Sequence, residues 1–224
     1  MSKATRGEKG EQLVAEELDK IKEYHQILND VTFLNKKSEM THQIDHILIH
    51  PHGVFVVETK NYYGEIKVDK DKPFWEKIVG GEVTRIHNPL HQNKSHAITV
   101  YRLLKGDYPV IPVVVFVQNN APYLGDENVI NLSDLLLFID SYPYKHKITK
   151  PTIDKIYILL KRRTSKVTKK EHLENIGYLK QIKKEIKDEI AYAIENRKCP
   201  RCGKNMCNKG NAFCCQGCDF HFKL

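Results

Sequence analysis

Apolar positions along the chain switch repeatedly between helical and extended spacing. In residues 8–24, EKGEQLVAEELDKIKEY, the residues Leu13, Val14, Leu18 and Ile21 recur at helical spacing and predict a helix. Residues 26–34 read as a strand, followed by a polar loop, NKKSEMTH. Two apolar runs, 43–50 and 54–60, read as strands, with Pro51, His52 and Gly53 between them in turn positions. GEIKV, 64–68, is a further short strand, and KIVGGEVTRI, 77–86, sets a Gly-Gly pair between β-branched runs as a hairpin does. Asn88 and Pro89 fit the N-cap and first position of a helix running from 89 to about 105. IPVVVFV, 111–117, is a short continuous apolar run, the mark of a buried central strand. NVINL predicts another strand, and LSDLLLFIDSY a helix capped by Ser133. Beyond Pro143 come an amphipathic helix at 152–163, a polar break, TSKVTKK, and a long basic helix from 171 to 198. This order predicts an α/β or α+β mixed sheet with helices on its faces.

Composition adds compartments and partners. The chain has 224 residues, enough for one substantial domain and a smaller module. No apolar run is long enough to span a bilayer, and the polar start, MSKATRGEKGEQ, lacks the apolar region of a secretory signal, so a cytoplasmic protein is expected. Charge is unevenly spread. Residues 1–140 carry 16 Lys/Arg against 20 Asp/Glu, whereas residues 141–198 carry 16 against 7. The expected division is therefore 8–140, a basic helical segment 141–198, and a tail 199–224 that holds all six cysteines. A basic C-terminal part points to a polyanion such as nucleic acid, or equally to a solvated lysine-rich helical face.

The charges inside the two central strands carry the chemistry. Glu58 and Lys60 lie two apart on one strand face, with Cα atoms about 6.5–7 Å apart. A two-residue turn at Pro51–His52 pairs His50 with Gly53 and, in the same register, Asp45 with Glu58. Opposed residues of an antiparallel pair hold their Cβ atoms about 4.5–5.5 Å apart. Two adjacent carboxylates repel when both are ionised, and a divalent cation removes the conflict. Oxygen ligands suit Mg²⁺ or Mn²⁺, which polarise phosphoryl oxygens and acidify water. Lys60 is then placed to orient the attacking water, or to take its proton if its own pKa is depressed. Structurally, the same pattern reads as a Glu58–Lys60 salt bridge.

D-x12-E-x-K across a hairpin resembles the metal site of the PD-(D/E)XK nuclease superfamily, whose fold is restriction-endonuclease-like. More closely, residues 8–125 resemble the nuclease-related domain, NERD, through KGEQLVAEEL, QIDHILIHPHGVFVVETKNYYGEI and NPLHQNKSH. The resemblance implies a metal-dependent nuclease acting on DNA, with Asp45 and Glu58 as Mg²⁺ or Mn²⁺ ligands and Lys60 as the catalytic lysine. It also implies that Glu11 faces the metal; alone, Glu11 reads as a surface carboxylate near a helix N-terminus. Asn88, Pro89 and Gln92 match the family's Asn-Pro and following Gln. Gln92 and His96 share a helix face; Gln92 is expected to touch the phosphate and His96 to be a satisfied surface imidazole. His46 and His50 alternate away from Asp45 and are not expected to join its site.

The tail contains C-x2-C, twelve residues, then C-x2-C. Two such knuckles present four thiolates to a structural Zn²⁺, here Cys199, Cys202, Cys215 and Cys218. Cys214 is the alternative to Cys215, although it breaks the spacing. The segment resembles the C4 zinc ribbons of bacterial type I topoisomerases, which bind single-stranded DNA. Phe213, Phe220 and Phe222, interleaved with Arg201, Lys209 and Lys223, are candidates for base stacking and equally for packing the ribbon. The expected partner is DNA, including single-stranded or branched forms. The rival reading is a DNA-binding protein that keeps the nuclease fold without turnover.

Overall fold

The structure, a computed structural model, describes residues 5–35, 40–124, 128–144, 146–164 and 169–223. Most of the expected polar loop after residue 35 and of the polar break after residue 164 lies outside the described residues. The chain divides into two compact units, Met1–Val167 and Thr168–Leu224.

The first unit is built on a five-stranded sheet. Its strands are β1 (Gln26–Asn35), β2 (Met40–His50), β3 (Gly53–Lys60), β7 (Val110–Phe116) and β8 (Val129–Asn131), in the order β1-β2-β3-β7-β8. The first three are antiparallel neighbours, and β7 and β8 join in parallel. Short β4 (Glu65–Lys67), β5 (Phe74–Val79) and β6 (Glu82–His87) form a separate antiparallel sheet between β3 and the next helix. Gly80 and Gly81, with φ of 58° and 87°, make the two-residue β5–β6 turn that the Gly-Gly pair predicts.

Helices cover both faces of the main sheet, which makes the molecule the mixed α/β fold expected. Helix α1 (Arg6–Leu18) buries Val14 and Leu18 against Leu48, Phe55 and Val57, together with α3 (Leu135–Ser141). Each such aliphatic side chain contributes about 1.5–3 kcal/mol on burial. Helix α2 (Pro89–Leu103) and α4 (Lys150–Arg163) cover the other face around Ile47, Ile49, Val54 and Val56. Thr5 and Glu8 close a capping box at the start of α1. That helix ends at Leu18 rather than Tyr24, although Ile21 still packs on the core. Asn88 caps α2 as expected, accepting from Leu90 N. Ser133 does not cap α3. A 3-10 turn at Leu132–Asp134 precedes that helix, and the Ser133 hydroxyl instead donates to Asp134.

Helix α4, which lies inside the expected basic segment 141–198, packs on the first unit. Its stripe Ile153, Ile156 and Leu160 is buried in the sheet's own core, so α4 belongs to the first unit. With it, residues 1–167 carry 24 Lys/Arg against 21 Asp/Glu, and the front of the chain is no longer acidic.

The second unit holds α5 (Lys169–Asn196) and a small antiparallel sheet, β9 (Met206–Lys209), β10 (Ala212–Cys215) and β11 (His221–Lys223), in the order β11-β10-β9. Ala193, Met206, Phe213 and Phe220 form its core. Phe213 and Phe220 are therefore packing residues, covered by Arg197 and Arg201, and do not offer faces to bases.

Candidate functional site

Asp45 reaches its position through a break in the sheet. The β1–β2 ladder pairs Asn29 with His46 and Val31 with Ile44, but skips Asp30 and Asp45. Asp30 there takes a left-handed φ of 47°. On the other side, the β2–β3 ladder runs from His50↔Gly53 to His46↔Val57 and stops one step short of Asp45. The register is the one the turn predicts, but Asp45 leaves both ladders at the point where Glu58 would face it. Its carboxylate instead accepts the backbone N–H of Thr59 at 2.8 Å. The side chain thus replaces a ladder bond and sits at the mouth of the gap beyond Val57.

Around that gap lies a hollow of about 390 Å³, lined among others by Glu11, Asp45, Glu58 and Lys60. Glu11 comes from α1, and Gly10 explains how α1 gets close enough. A Cβ at Gly10 would lie 2.8 Å from Asn61 Cβ, so only glycine lets the helix rest on the end of β3. Asn61 ties the two together by donating to Arg6 O at 2.9 Å and accepting from Gln118 at 2.7 Å.

The charges here are coupled. Lys60 Nζ lies 2.5 Å from Glu58 Oε1, and Glu58 is almost wholly buried. Burial opposes the charge on Glu58, but Lys60 and then His96 outweigh it and hold the carboxyl below its usual value. Burial likewise opposes the charge on Lys60, and the Glu58 carboxylate overrides it, raising the ammonium above the usual lysine range. The direction favours Lys60 as a cation over a depressed, proton-accepting lysine. Asp45 behaves oppositely. Burial, then the charge of Glu58, pushes it up to about 8 against the Thr59 N–H and Lys60. Glu11, Asp45 and Glu58 line the hollow together with Arg6, Lys60 and Lys77, and Asp45 is left largely protonated at neutral pH. The hollow's oxygen donors, from Asp45, Glu58 and Glu11, are of the kind a hard divalent cation takes.

Two residues exchange their expected places. Gln92 is exposed in the first turn of α2 and does not line the hollow. His96, one turn on, is buried, with Nδ1 3.4 Å from Glu58 Oε2 and its ring edge-on to His42 at 5.9 Å. No spacing rule distinguishes a buried from an exposed histidine on a helix face; the packing of α2 on β3 does. Asn93 beside it donates to Val56 O and Val113 O, pinning α2 across β3 and β7. Asn88 donates to Lys70 O and Lys72 O, so the Asn-Pro motif shapes the loop before α2.

Among the described residues, two groups of three or more metal-ligating side chains bring their ligand atoms within 4.8 Å of one another, and neither includes Asp45, Glu58 or Glu11. The Sγ atoms of Cys199, Cys202, Cys215 and Cys218 all lie within 4.8 Å of one another, with Cys202–Cys215 at 3.3 Å and Cys199–Cys218 at 3.6 Å. Those separations are close to the edge of a tetrahedron with metal–sulfur bonds of about 2.3 Å, so the four thiols could hold a metal ion. Cys214 pairs across β9–β10 with Cys207 and stays outside the cluster. Glu23, His50 and His52 also converge. There, His50 Nδ1 accepts the His52 N–H at 3.3 Å, which leaves its proton on Nε2, 3.6 Å from Glu23. Glu23 also pairs with Lys147 at 3.1 Å, and burial lowers His50 to about 4, so Glu23 reads as the ion-pair partner of Lys147 beside an uncharged His50.

The sequence profile of the nuclease-related domain, NERD, matches residues 6–117, which run from the start of α1 to the end of β7 and contain every residue lining the hollow. An uncharacterized protein of Bacillus anthracis is 32% identical over 178 residues, covering 75% of this chain and 82% of that protein. No solved structure matches the chain. Among the described residues, no helix is long and apolar enough to cross a membrane.

Proposed function

The chain belongs to the nuclease-related domain family, and on that premise we propose that it is a metal-dependent nuclease that hydrolyses phosphodiester bonds in DNA. The observation that carries the reading is Asp45: freed from both ladders, anchored on the Thr59 N–H, and held up at about 8 by burial and by Glu58 in a solvent-open hollow. A site whose buried aspartate resists ionisation and whose donors are hard oxygens suits Mg²⁺ or Mn²⁺. Asp45 and Glu58 would hold the ion, and Glu11 would reach it directly or through water. The bound ion would supply charge stabilisation at the phosphoryl oxygens and a more acidic water.

The chain's own groups do the rest. Lys60, favoured as a cation and braced by Glu58, stabilises negative charge that builds on the phosphate. His96, with Nδ1 3.4 Å from the second oxygen of Glu58, would help to orient that carboxylate. Gln92, exposed at the start of α2, is left as a contact to the strand outside the hollow. In the second unit, the four cysteines would take Zn²⁺ and stabilise a ribbon whose own core is small. Its basic residues, with those of α5, would add phosphate affinity, including for single-stranded or branched DNA.

Cleavage of labelled single-stranded, duplex and branched DNA, and of RNA, in Mg²⁺, Mn²⁺ or EDTA tests this reading. Metal-dependent loss of full-length DNA is expected. Binding without cleavage of any substrate in either metal would overturn it and favour a nuclease fold retained for DNA binding.

A further inference from the structure

A second hollow of about 390 Å³ adjoins the first, and the two share Arg6 and Lys77. It runs over the small sheet, lined by Tyr63, Val79, Glu82 and Thr84 besides the shared pair. Each shared cation lies over an aromatic ring: Arg6 Cζ is 4.7 Å from the centre of Tyr63, and Lys77 Nζ is 5.9 Å from that of Tyr62. The tyrosines differ in availability. Tyr62 packs edge-on to the buried Phe116, whereas Tyr63 is 49% exposed. Arg6 is held at the rim by the Asn61 bond to its carbonyl, and as the first residue of α1 it stands at the positive end of the helix. Among the described residues, Glu82 is the one carboxylate lining this second hollow, set against two cations.

We propose that Arg6, Tyr63 and Lys77 form a subsite for the nucleotide next to the scissile phosphodiester, and that the strand it takes is single. Arg6 and Lys77 stand where the two hollows meet, placed to contact flanking phosphates. Tyr63, with Arg6 over one face and about half its surface exposed, offers the other face to the adjoining base. A base can use that face only when its own is uncovered, and in a duplex both faces are stacked on neighbouring pairs. Cations interleaved with an open aromatic ring are the usual means of holding single strands without reading sequence. The inference rests on the reading of the Asp45 hollow as a phosphodiester site, and it names the form of nucleic acid that site receives.

The test is binding by the full chain carrying Asp45→Asn, so that it is read without cleavage. Probes are fluorescein-labelled oligo(dT) and oligo(rU) of about 15 nucleotides, within the range of single-strand site sizes, and a duplex of the same length. Tyr63→Ala is expected to weaken single-strand binding about tenfold and to leave duplex binding within about twofold, with Tyr63→Phe restoring the loss. Arg6→Ala and Lys77→Ala should each flatten the log–log salt dependence for single strands by about 0.7. Oligo(dT) carrying 5-iodouracil should photo-crosslink to the peptide containing Tyr63, and comparison with oligo(rU) shows which sugar the subsite accepts. Equal losses for single strand and duplex, or no loss with no crosslink at Tyr63, would overturn the subsite. If the binding pattern holds but the wild type cuts nothing, the subsite stands and the nuclease reading falls. Metal-dependent cutting without the pattern gives the reverse.

Discussion

At the scale of residues, Asp45 and Glu58 share one hollow but have opposite proton affinities. The folded chain holds Asp45's proton up to about 8, far above the ordinary 3.8. Folding therefore favours the protonated form, so Asp45's contribution to stability is present below about pH 4 and is lost as pH rises toward 8. Glu58 is held below its usual value, so its contribution is present at neutral pH and is lost as pH falls through that lowered pKa. Metal binding needs Asp45 ionised and should release its proton. Calorimetric titration with Mn²⁺ in buffers of different ionisation enthalpy should show close to one proton released per ion at pH 6.5 and almost none at pH 9. Equal release at both values would mean that Asp45 is not a ligand. The Glu58–Lys60 pair is mutually dependent. Lys60→Ala leaves a buried carboxylate unpaired and should cost about 3–5 kcal/mol, and the double variant Glu58→Gln, Lys60→Met should recover most of it in a denaturant titration. The turn and register made Asp45 and Glu58 legible in the sequence. His96 was not legible, because its partner is supplied by another element.

At the scale of elements, two irregularities make the site. One is the matched gap in pairing at Asp30 and Asp45, which takes an aspartate of β2 out of both ladders while the register on either side continues. The other is the seat of α1 on Asn61. Gly10→Ala should push the helix off β3, destabilise the chain by about 1–3 kcal/mol, and lower the melting temperature by several degrees. It should also weaken Mn²⁺ binding, because Glu11 is the next residue; a melting temperature and Mn²⁺ affinity equal to wild type would show that α1 has room there. The alternating strands, the Gly-Gly hairpin and the Asn88 cap were readable, since period and turn chemistry are local. The end of α1 was not: Ile21 keeps the helical spacing but packs from a loop. The 3-10 entry to α3 has no side-chain cap that a sequence could announce.

At the scale of the whole molecule, charge and fold divide the chain at different places. Composition changes after Pro143, but the apolar stripe of α4 is buried in the sheet, and the second unit begins only at Thr168. An amphipathic helix shows its stripe in the sequence without showing what the stripe meets. The cysteine spacing, by contrast, identified four converging thiols directly, because ligand geometry fixes the spacing of each knuckle. The purified chain should carry about one zinc ion, measured by atomic emission. Chelation, or Cys215→Ser, should expose the region after Asn196 to limited proteolysis; unchanged protection would show that the ribbon holds without metal.

The central claim is that Asp45 and Glu58 hold an ion that drives phosphodiester cleavage. The most direct measurement is the single-turnover rate of DNA cleavage in Mn²⁺ for the wild type beside Asp45→Asn, a variant that can still accept the Thr59 N–H. The account predicts metal-dependent cleavage by the wild type and a loss of at least about a hundredfold in the variant, or about 2.7 kcal/mol of transition-state stabilisation. A variant that cuts DNA as fast as the wild type would contradict it.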